Sequence, residues 1–312
     1  MIVALTGATG FLGGAVLERL LAEGHEVRAL TRRPQPERTG VTWIAGDLAD
    51  GDALGSLVAG LDAVIHVAGA INAPTRAAFH AANADGTRML AERAKAASVA
   101  RFVLVSSLSA REPQLSDYGW SKREGERMLD AVGGHGTDDR DLDWTIVRPP
   151  AIYGPGDREM LEMFQMAARG LVMLPPAGRL SIIHADDLAR LLVALADRGS
   201  NETRHRTYEV DDGTPGGLTH IGFAHALGRA VGRRVWPLPM PRFALTLAAR
   251  GDRLVRGDKA KLTPDRVHYF CHPDWVAAQD RHVPATLWRP EIGAEQGLAA
   301  TAAGYRAKGW LG

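Results

Sequence analysis

A serine, a tyrosine and a lysine lie close together near the middle of the sequence, at a spacing that can support proton transfer. Ser107 ends the run VLVSS, Tyr118 follows eleven residues later, and Lys122 comes four residues after Tyr118. Positions four apart share one face of a helix, so Tyr118 and Lys122 can point into one cleft while Ser107 reaches it from a strand end. These three residues are our candidate catalytic group.

Three glycines form a candidate phosphate-binding turn near the start of the chain. They lie in the run TGATGFLG, directly after an apolar run typical of a strand and at the start of a helical pattern. Without side chains, the backbone can turn tightly and approach a pyrophosphate, which the free amides of a helix N-terminus stabilise. The run therefore predicts a dinucleotide site. The residues expected to contact the dinucleotide here are Gly7, Thr9, Gly10, Phe11, Leu12 and Gly13.

Residues that follow the next strands complete the predicted cofactor site. The second strand ends in ALTRRP, where an arginine suits a 2′-phosphate and a carboxylate would suit free ribose hydroxyls. Arg32 therefore predicts NADP(H) rather than NAD(H), with Arg33 as an assisting basic residue. The other expected contacts follow the third and fourth strands and are Asp47, Leu48, Val67, Ala68 and Gly69.

The phenol of Tyr118 is the candidate proton donor. A phenol has a pKa of about 10 and is a weak acid at neutral pH. A neighbouring ammonium and an oxidised nicotinamide both favour the phenolate, so we expect Lys122 to lower the pKa of Tyr118. Ser107 would hydrogen-bond the same substrate oxygen. Lys122 would also hold the nicotinamide ribose, so Tyr118 and Lys122 are expected cofactor contacts as well.

The order of the elements predicts an α/β fold that can position these residues. Short β-branched runs alternate with Ala/Leu/Arg-rich segments, which is typical of a doubly wound parallel sheet of the Rossmann type. The predicted strands are 2–5, 26–30, 42–45, 63–67, 102–105 and 145–147, and helical patterns lie around 12–23, 86–97 and 116–132.

The changes in composition and pattern along the sequence predict a cofactor-binding domain and a smaller lobe. Residues 1–150, rejoined by about 181–200, are expected to form the NADP-binding domain. Residues 151–180 and 201–312 are Pro/Gly-rich or irregular, and we assign them to a smaller C-terminal substrate lobe.

The composition excludes several classes of protein. Of the 312 residues, 46% are apolar and 23% are charged, which argues against a disordered or fibrous chain. A net charge of +1 gives no strong field for nucleic acid, so we expect no nucleic-acid partner. The expected partner is a small-molecule substrate, and the expected assembly is a monomer or homodimer.

Cysteine and histidine usage argues against a metal site. Cys271 is the only cysteine, which excludes an intramolecular disulfide, and no histidine pairs with a second ligand at a spacing typical of zinc.

The start MIVALTGATG lacks the pattern of a secretory signal, and no run of about eighteen apolar residues occurs. We therefore expect a cytoplasmic protein without a metal.

Seven ordered motifs resemble the short-chain dehydrogenase/reductase superfamily in its extended form, the epimerase/dehydratase family. They span essentially the whole chain and are TGATGFLG, GDL, HVAG, NADGT, SS before YGWSK, RPPAIYGPGD and IIHADDLA. The resemblance implies a nicotinamide-dependent enzyme with a Ser-Tyr-Lys active site. It also implies that Asn83 neighbours this site and that Pro149 and Ile152 edge the nicotinamide.

The C-terminal stretch AKLTPDRVHYFCHPDW resembles the tails of enzymes related to 3β-hydroxysteroid dehydrogenases and dihydroflavonol reductases. The overall pattern is similar to bacterial reductases of long-chain 3-oxo lipids such as 3-oxo-ceramide. This resemblance implies an NADPH-dependent ketoreductase that reduces a lipid-like ketone to a secondary alcohol, with Tyr118 protonating the nascent alkoxide.

An apolar stretch with flanking arginines leaves three interpretations open. Residues 236–257 begin with WPLPMP and are bracketed by Arg234, Arg242 and Arg250. The stretch is a flap over a lipid tail, a peripheral membrane contact at the inner face of the membrane, or a helix buried in the lobe.

Two other functions stay open from the sequence. A nucleotide-sugar epimerase or dehydratase would need basic groups for a diphosphate, and Arg179 could serve there. A non-catalytic NADP-binding subunit of the kind associated with respiratory complex I would resemble this chain in its short segment between Ser107 and Tyr118.

Overall fold

Seven parallel strands form the main sheet of the protein. The computed structural model describes residues 1–134, 141–198, 202–257 and 263–311. Its strands are Ile2–Thr6 (β1), Glu26–Thr31 (β2), Val41–Ala45 (β3), Ala63–His66 (β4), Arg101–Val105 (β5), Trp144–Arg148 (β6), Ala151–Tyr153 (β7), Leu171–Leu174 (β8), Arg179–Leu180 (β9), Ile182–His184 (β10), Arg206–Glu209 (β11), Leu218–Thr219 (β12), Trp236–Pro239 (β13) and Asp274–Trp275 (β14). The main sheet has the order β11-β6-β5-β4-β1-β2-β3, and all neighbouring strands in it are parallel.

The helices alternate with these strands along the first half of the chain. They are Phe11–Ala22 (α1), Gly51–Val58 (α2), Arg76–His80 (α3), Gly86–Ala96 (α4), Asp117–Gly133 (α5), Leu161–Ala168 (α6), Ala185–Arg198 (α7), His220–Val231 (α8), Arg242–Arg256 (α9), Pro264–Phe270 (α10) and Ala294–Ala307 (α11). A π-helical turn, Ala81–Asp85, joins α3 to α4.

Helices cover both faces of the main sheet because successive strand residues point to opposite sides. Val3 and Leu5 pack in one apolar cluster with residues of α1 and α7. Ala4 packs in a second cluster with residues of α2, α4 and α5. Strands buried on both faces are typical of parallel sheets, and the predicted Rossmann-type α/β fold is confirmed.

The main sheet contains one strand that the sequence analysis placed in the substrate lobe. Strand β11 pairs with β6, with Tyr208 opposite Val147, although residues 201–312 were assigned outside the sheet. The reason is tertiary, because Tyr208 and Val210 are buried against the first apolar cluster while the short run RTYE has little strand character of its own. The sheet is therefore rejoined twice, by α7 against its face and by β11 at its edge.

A third apolar cluster lies outside the main sheet. Its members come from β7, α6, β8, α8 and α11, and they include Tyr153, Phe164, Phe223 and Leu298. Small sheets, β10-β7, β12-β9-β14 and β13-β8, frame this part of the protein. None of the helices in the described ranges combines the length and the apolar character needed to cross a membrane.

A buried carboxylate fastens the C-terminal segment to helix α7, which packs on the main sheet. Asp187 lies in the first turn of α7 and accepts hydrogen bonds from the backbone N–H groups of Glu291 (2.9 Å) and Ile292 (2.8 Å). Its other oxygen accepts from Arg190 at 2.6 Å. The segment that leads into α11 is thereby fixed against α7.

Candidate active site

The glycine turn between β1 and α1 has the shape that a dinucleotide requires. Gly7 has a φ of +77°, and a β-carbon on it would lie 2.8 Å from the backbone nitrogen of Ala68. A β-carbon on Gly13 would overlap the carbonyl oxygen of Gly7. No side chain caps the start of α1 at Gly10, and its first turn has no acidic residue. The turn therefore fits an anionic diphosphate against the helix N-terminus.

The other predicted cofactor residues share the carboxyl edge of the main sheet. Arg32 is exposed directly after β2, Asp47 and Leu48 follow β3, and Gly69 is exposed after β4. Val67 and Ala68 lie between β4 and Gly69 and are partly buried. This is the edge at which open parallel sheets bind their ligands.

The burial of Leu12, Pro149 and Ile152 restricts how these three residues could contact a cofactor. Leu12 is buried in the first apolar cluster, so only its main chain can face the glycine turn. Pro149 is buried, and its carbonyl oxygen accepts a hydrogen bond from the N–H of Leu108 at 2.9 Å. Ile152 is partly buried on β7, and Thr9 and Phe11 lie at the accessible side of the turn.

The structure brings Ser107, Tyr118 and Lys122 together beside this edge. The side chains of Ser107 and Tyr118 lie close enough to interact, and this interaction acts to lower the pKa of the Tyr118 phenol. Lys122 is buried, and its Nζ donates to the carbonyl oxygen of Val105 at 2.7 Å. A β-carbon on Gly69 would lie 3.5 Å from Nζ of Lys122, so the lysine adjoins the predicted cofactor residues after β4.

The pKa of Tyr118 differs from the sequence expectation. Burial raises the pKa of Tyr118 above its ordinary value, and the interaction with Ser107 opposes this only in part. The expected lowering by Lys122 is therefore wrong for the protein without cofactor, since desolvation of the phenolate dominates. Burial also lowers the pKa of Lys122 to about 8, against the opposing charge of Glu126.

Asn83 fixes the helix that carries the tyrosine and the lysine. It is buried in the π-helical turn, and its Nδ2 donates to Ser121 Oγ and to the carbonyl oxygen of Ala70, both at 2.9 Å. Its Oδ1 accepts from the N–H of Ala70 at 2.7 Å. Gly125 lets α5 approach closely, because a β-carbon there would overlap the carbonyl oxygen of Asn83.

His66 is a second buried polar residue at the end of β4. Its Nδ1 lies 2.6 Å from Thr6 Oγ1 and its Nε2 lies 3.0 Å from Thr87 Oγ1. Burial and the charge of Lys122 lower the pKa of His66 to about 3. The neutral imidazole therefore links β1, β4 and α4 beneath the site, which agrees with a structural rather than a metal-binding role.

We expect His66 to lower the free energy of unfolding as the pH decreases below about 6.5. Its pKa drops from 6.5 to about 3 on folding, so the unfolded chain binds a proton that the folded protein excludes. The stability from neutral His66 is present above pH 6.5 and decreases by up to about 1.4 kcal/mol per pH unit as the pH falls. Urea unfolding of the wild type and of His66→Gln between neutral and mildly acidic pH measures this. Equal pH slopes for the two proteins would contradict it.

A buried ion network behind the site was not predicted from the sequence. Arg148 makes two hydrogen bonds to Glu126, from Nε at 2.7 Å and from an NH2 group at 2.6 Å. Ser106 donates to Glu126 Oε1 at 2.5 Å, and Glu209 of β11 lies 3.6 Å from Arg148. Charged groups buried this deeply require such pairing. The network joins the strand before Ser107 to the helix that carries Lys122.

Aromatic residues from two distant parts of the chain surround Tyr118. The ring of Phe79 lies 6.1 Å from the Tyr118 ring. Burial raises the pKa of Tyr269 in α10, and the interaction with Tyr118 adds to this rise. The centre of the Tyr269 ring lies 4.6 Å from that of Trp275. Asp265 accepts a hydrogen bond from the N–H of Asp117 at 3.0 Å and so fastens α10 to the start of α5.

Comparison with known proteins agrees with this geometry. Residues 3–211 match the NAD dependent epimerase/dehydratase family. The chain belongs to this family. The predicted assignment to the extended short-chain dehydrogenases/reductases is thereby confirmed.

Two named proteins are similar to this chain over nearly its full length. A ceramide reductase from Caulobacter vibrioides is 38% identical, with 99% of this chain and 96% of that protein covered. A 2-alkyl-3-oxoalkanoate reductase from Stenotrophomonas maltophilia is 28% identical, with 96% of this chain and 97% of that protein covered. Both relatives are named as reductases. The protein is accordingly an oxidoreductase that uses a nicotinamide cofactor and a small-molecule substrate.

A solved structure of the same fold shares the whole architecture. The crystal structure of gox2253 superposes with a TM-score of 0.78 at 22% identity and covers 100% of this chain and 99% of that chain. At this level of identity the likeness supports the fold alone.

Proposed function

We propose that the protein is an NADPH-dependent ketoreductase that reduces a ketone on a lipid-like substrate to the secondary alcohol. The observation that carries the proposal is the interacting pair of Ser107 and Tyr118, with buried Lys122 beside Val105 and Gly69, at the same sheet edge as the glycine turn. Burial raises the pKa of Tyr118, so the phenol holds a proton at neutral pH that it can transfer to the ketone oxygen.

The chain's own residues provide the proton and orient the carbonyl group. When bound, the reduced nicotinamide supplies the hydride for the carbonyl carbon. As the C=O π bond breaks, Tyr118 donates its proton to the oxygen, and the hydroxyl of Ser107 holds that oxygen in place. Solvent then returns a proton to the Tyr118 phenolate, so the net change is ketone plus NADPH plus one proton to alcohol plus NADP⁺.

Lys122 contributes a positive charge beside the reacting groups. With a pKa of about 8 the side chain remains mostly an ammonium at neutral pH. An ammonium has three protons, and the hydrogen bond to Val105 uses one of them. The others are available for the ribose of the cofactor. The charge also stabilises the phenolate that Tyr118 becomes after proton donation.

The substrate class is inferred from the similar reductases and from the residues around Tyr118. The ceramide reductase and the 2-alkyl-3-oxoalkanoate reductase both have names that indicate oxygenated lipid chains. Phe79 and Tyr269 flank Tyr118, and Leu108 lies in the apolar cluster that contacts Tyr269. These neighbours suit an apolar chain beside the ketone, and we propose a long-chain 3-oxo amide such as 3-oxo-ceramide.

The environment of Arg179 argues against a nucleotide-sugar substrate. Its Nε donates to the carbonyl oxygen of Gly216 at 2.6 Å, and one NH2 group donates to that of Gly217 at 3.0 Å. These bonds engage the edge of the guanidinium that a diphosphate would otherwise bind. An epimerase function would need other basic groups in the lobe.

We expect Arg32→Ser to reduce the preference for NADPH over NADH by about 10- to 100-fold, because charged hydrogen bonds to a 2′-phosphate contribute about 1.5–3 kcal/mol. The kcat/KM for NADH should change little. Steady-state kinetics with each cofactor measures the ratio, and Arg206→Ser, on the opposite edge strand, is the matched control. A ratio equal to that of the wild type would exclude Arg32 as the selecting residue.

The substrate proposal is tested by NADPH oxidation with a panel of ketones. The panel contains a long-chain 3-oxo amide, a steroid ketone, a flavonoid ketone and a nucleotide sugar, each with NADPH and with NADH. We expect the 3-oxo amide with NADPH to give the highest kcat/KM. Conversion of the nucleotide sugar without net cofactor oxidation would instead establish an epimerase, and no turnover with bound cofactor would support the non-catalytic alternative.

A further inference from the structure

Helix α9 exposes an apolar stripe that the fold leaves uncovered. The exposed fractions of Phe243, Leu247 and Leu254 are 76%, 68% and 88%. These residues and Arg250 are spaced at i, i+4, i+7 and i+11, so they lie on one side of the helix. Large apolar side chains exposed in this way mark a surface that binds something.

The two-stranded sheet β13-β8, which leads into α9, is apolar on its outward face as well. Trp236 pairs with Leu171 and Leu238 pairs with Met173, and all four side chains are exposed, Trp236 by 72%. The N–H of Met240 donates to the carbonyl oxygen of Leu174 at 2.8 Å, so α9 begins at the end of this sheet. We call residues 171–174 and 236–254 the apolar face.

The sequence of the segment that contains α9 is strongly basic. Between residues 233 and 256 the sequence has six arginines, no lysine and one aspartate. Arg242 and Arg250 border a shallow groove of about 650 Å³ that also contains Phe243, Thr246 and Leu247. Asp252 is nine positions from Phe243 and so lies on the opposite side of the helix. Arginines among exposed aromatic and aliphatic residues match the phosphates and acyl region of an anionic lipid surface.

The apolar face is connected to the candidate active site through α10. Helix α9 packs against α10. Helix α10 contains Tyr269, next to Tyr118, and Asp265, which is bonded to the start of α5. A surface bound to α9 would therefore lie one helix away from the residues that meet the ketone.

We infer that the apolar face docks the protein onto an anionic phospholipid bilayer. The aromatic and aliphatic side chains insert among the acyl chains while Arg242 and Arg250 contact the lipid phosphates. Docking would bring a bilayer-embedded ketone to the cleft, and this role rests on the proposed function. The docking itself needs neither ketone nor cofactor. It selects the membrane interpretation among the three that the sequence left open.

Vesicle sedimentation with the full chain tests the docking directly. The probes are vesicles of phosphatidylcholine alone and vesicles of phosphatidylcholine mixed with phosphatidylglycerol, without cofactor or ketone. We expect binding to the mixed vesicles and little to the neutral ones, with binding weakened by salt. The double variant Phe243→Ser and Leu247→Ser should lower the vesicle affinity about tenfold or more, since two exposed apolar anchors are lost.

Matched controls separate docking from folding and from catalysis. Ile221→Ser removes a half-exposed apolar residue at the N-terminal end of α8, whereas β13 follows the C-terminal end of that helix. This variant should leave vesicle binding unchanged. Both variants should reduce a water-soluble short-chain ketone at the wild-type rate, whereas reduction of a vesicle-embedded ketone should fall only in the double variant.

The outcomes distinguish the two proposals. Ketone reduction without binding to mixed vesicles would overturn the docking and leave the proposed function standing. Binding without reduction of any ketone would overturn the proposed function and support the docking. Self-association through the apolar face, lost in the double variant and accompanied by no vesicle binding, would overturn the docking in favour of an interface between copies of this chain.

Discussion

Replacing Tyr118 by phenylalanine is expected to lower kcat for ketone reduction by about 10²- to 10⁴-fold while cofactor affinity stays close to that of the wild type. The substitution removes the hydroxyl that interacts with Ser107 and preserves the ring that lies beside Phe79. Without this proton donor, the alkoxide must take its proton from water. Single-turnover kinetics and cofactor titration measure the two effects separately.

Tyr208→Phe is the matched control for this experiment. It also removes a buried phenolic hydroxyl, which donates to the carbonyl oxygen of Glu202 at 2.9 Å, but it lies on the edge strand β11. Its kcat should equal that of the wild type. Unimpaired turnover in Tyr118→Phe would exclude this tyrosine as the proton donor.

Replacing Glu126 by glutamine is expected to lower the free energy of unfolding by about 3–5 kcal/mol. The carboxylate receives both hydrogen bonds from Arg148 and the hydroxyl proton of Ser106, and it is almost fully buried. The neutral amide no longer supplies the negative charge that balances the buried Arg148 guanidinium. Urea unfolding followed by circular dichroism measures the change.

An exposed ion pair provides the contrast for Glu126→Gln. Glu92 pairs with Arg88 one turn away on α4 at 2.7 Å, and both side chains are substantially exposed. Because solvent screens such pairs, Glu92→Gln should cost less than about 1 kcal/mol. A similarly small effect of Glu126→Gln would show that the buried network contributes little to stability.

The parts of the site that are local in sequence could be predicted from it. The turn from Gly7 to Gly13 follows its strand directly, and Tyr118 and Lys122 are four residues apart on one helix. Parallel strands then bring the residues after β2, β3 and β4 to one edge without further information. The fold and the candidate catalytic group therefore followed from short motifs and their order.

The parts that depend on distant contacts could not be predicted. Glu209 reaches Arg148 only because β11 joins the edge of the main sheet, and the short run RTYE gives no sign of this. Tyr269 approaches Tyr118 because α10 folds back onto the start of α5. The raised pKa of Tyr118 has the same origin, since burial is a property of the assembled structure rather than of the YxxxK spacing.

The most direct test of the proposed ketoreductase follows deuterium from NADPH into the product. The purified protein is incubated with a long-chain 3-oxo amide and NADPH that carries deuterium at the transferable position of the nicotinamide, and the lipid is analysed by mass spectrometry. We expect a secondary alcohol with deuterium on the carbinol carbon and an equal amount of NADP⁺. A product without deuterium, or no lipid alcohol while the cofactor remains bound and reduced, would contradict the account.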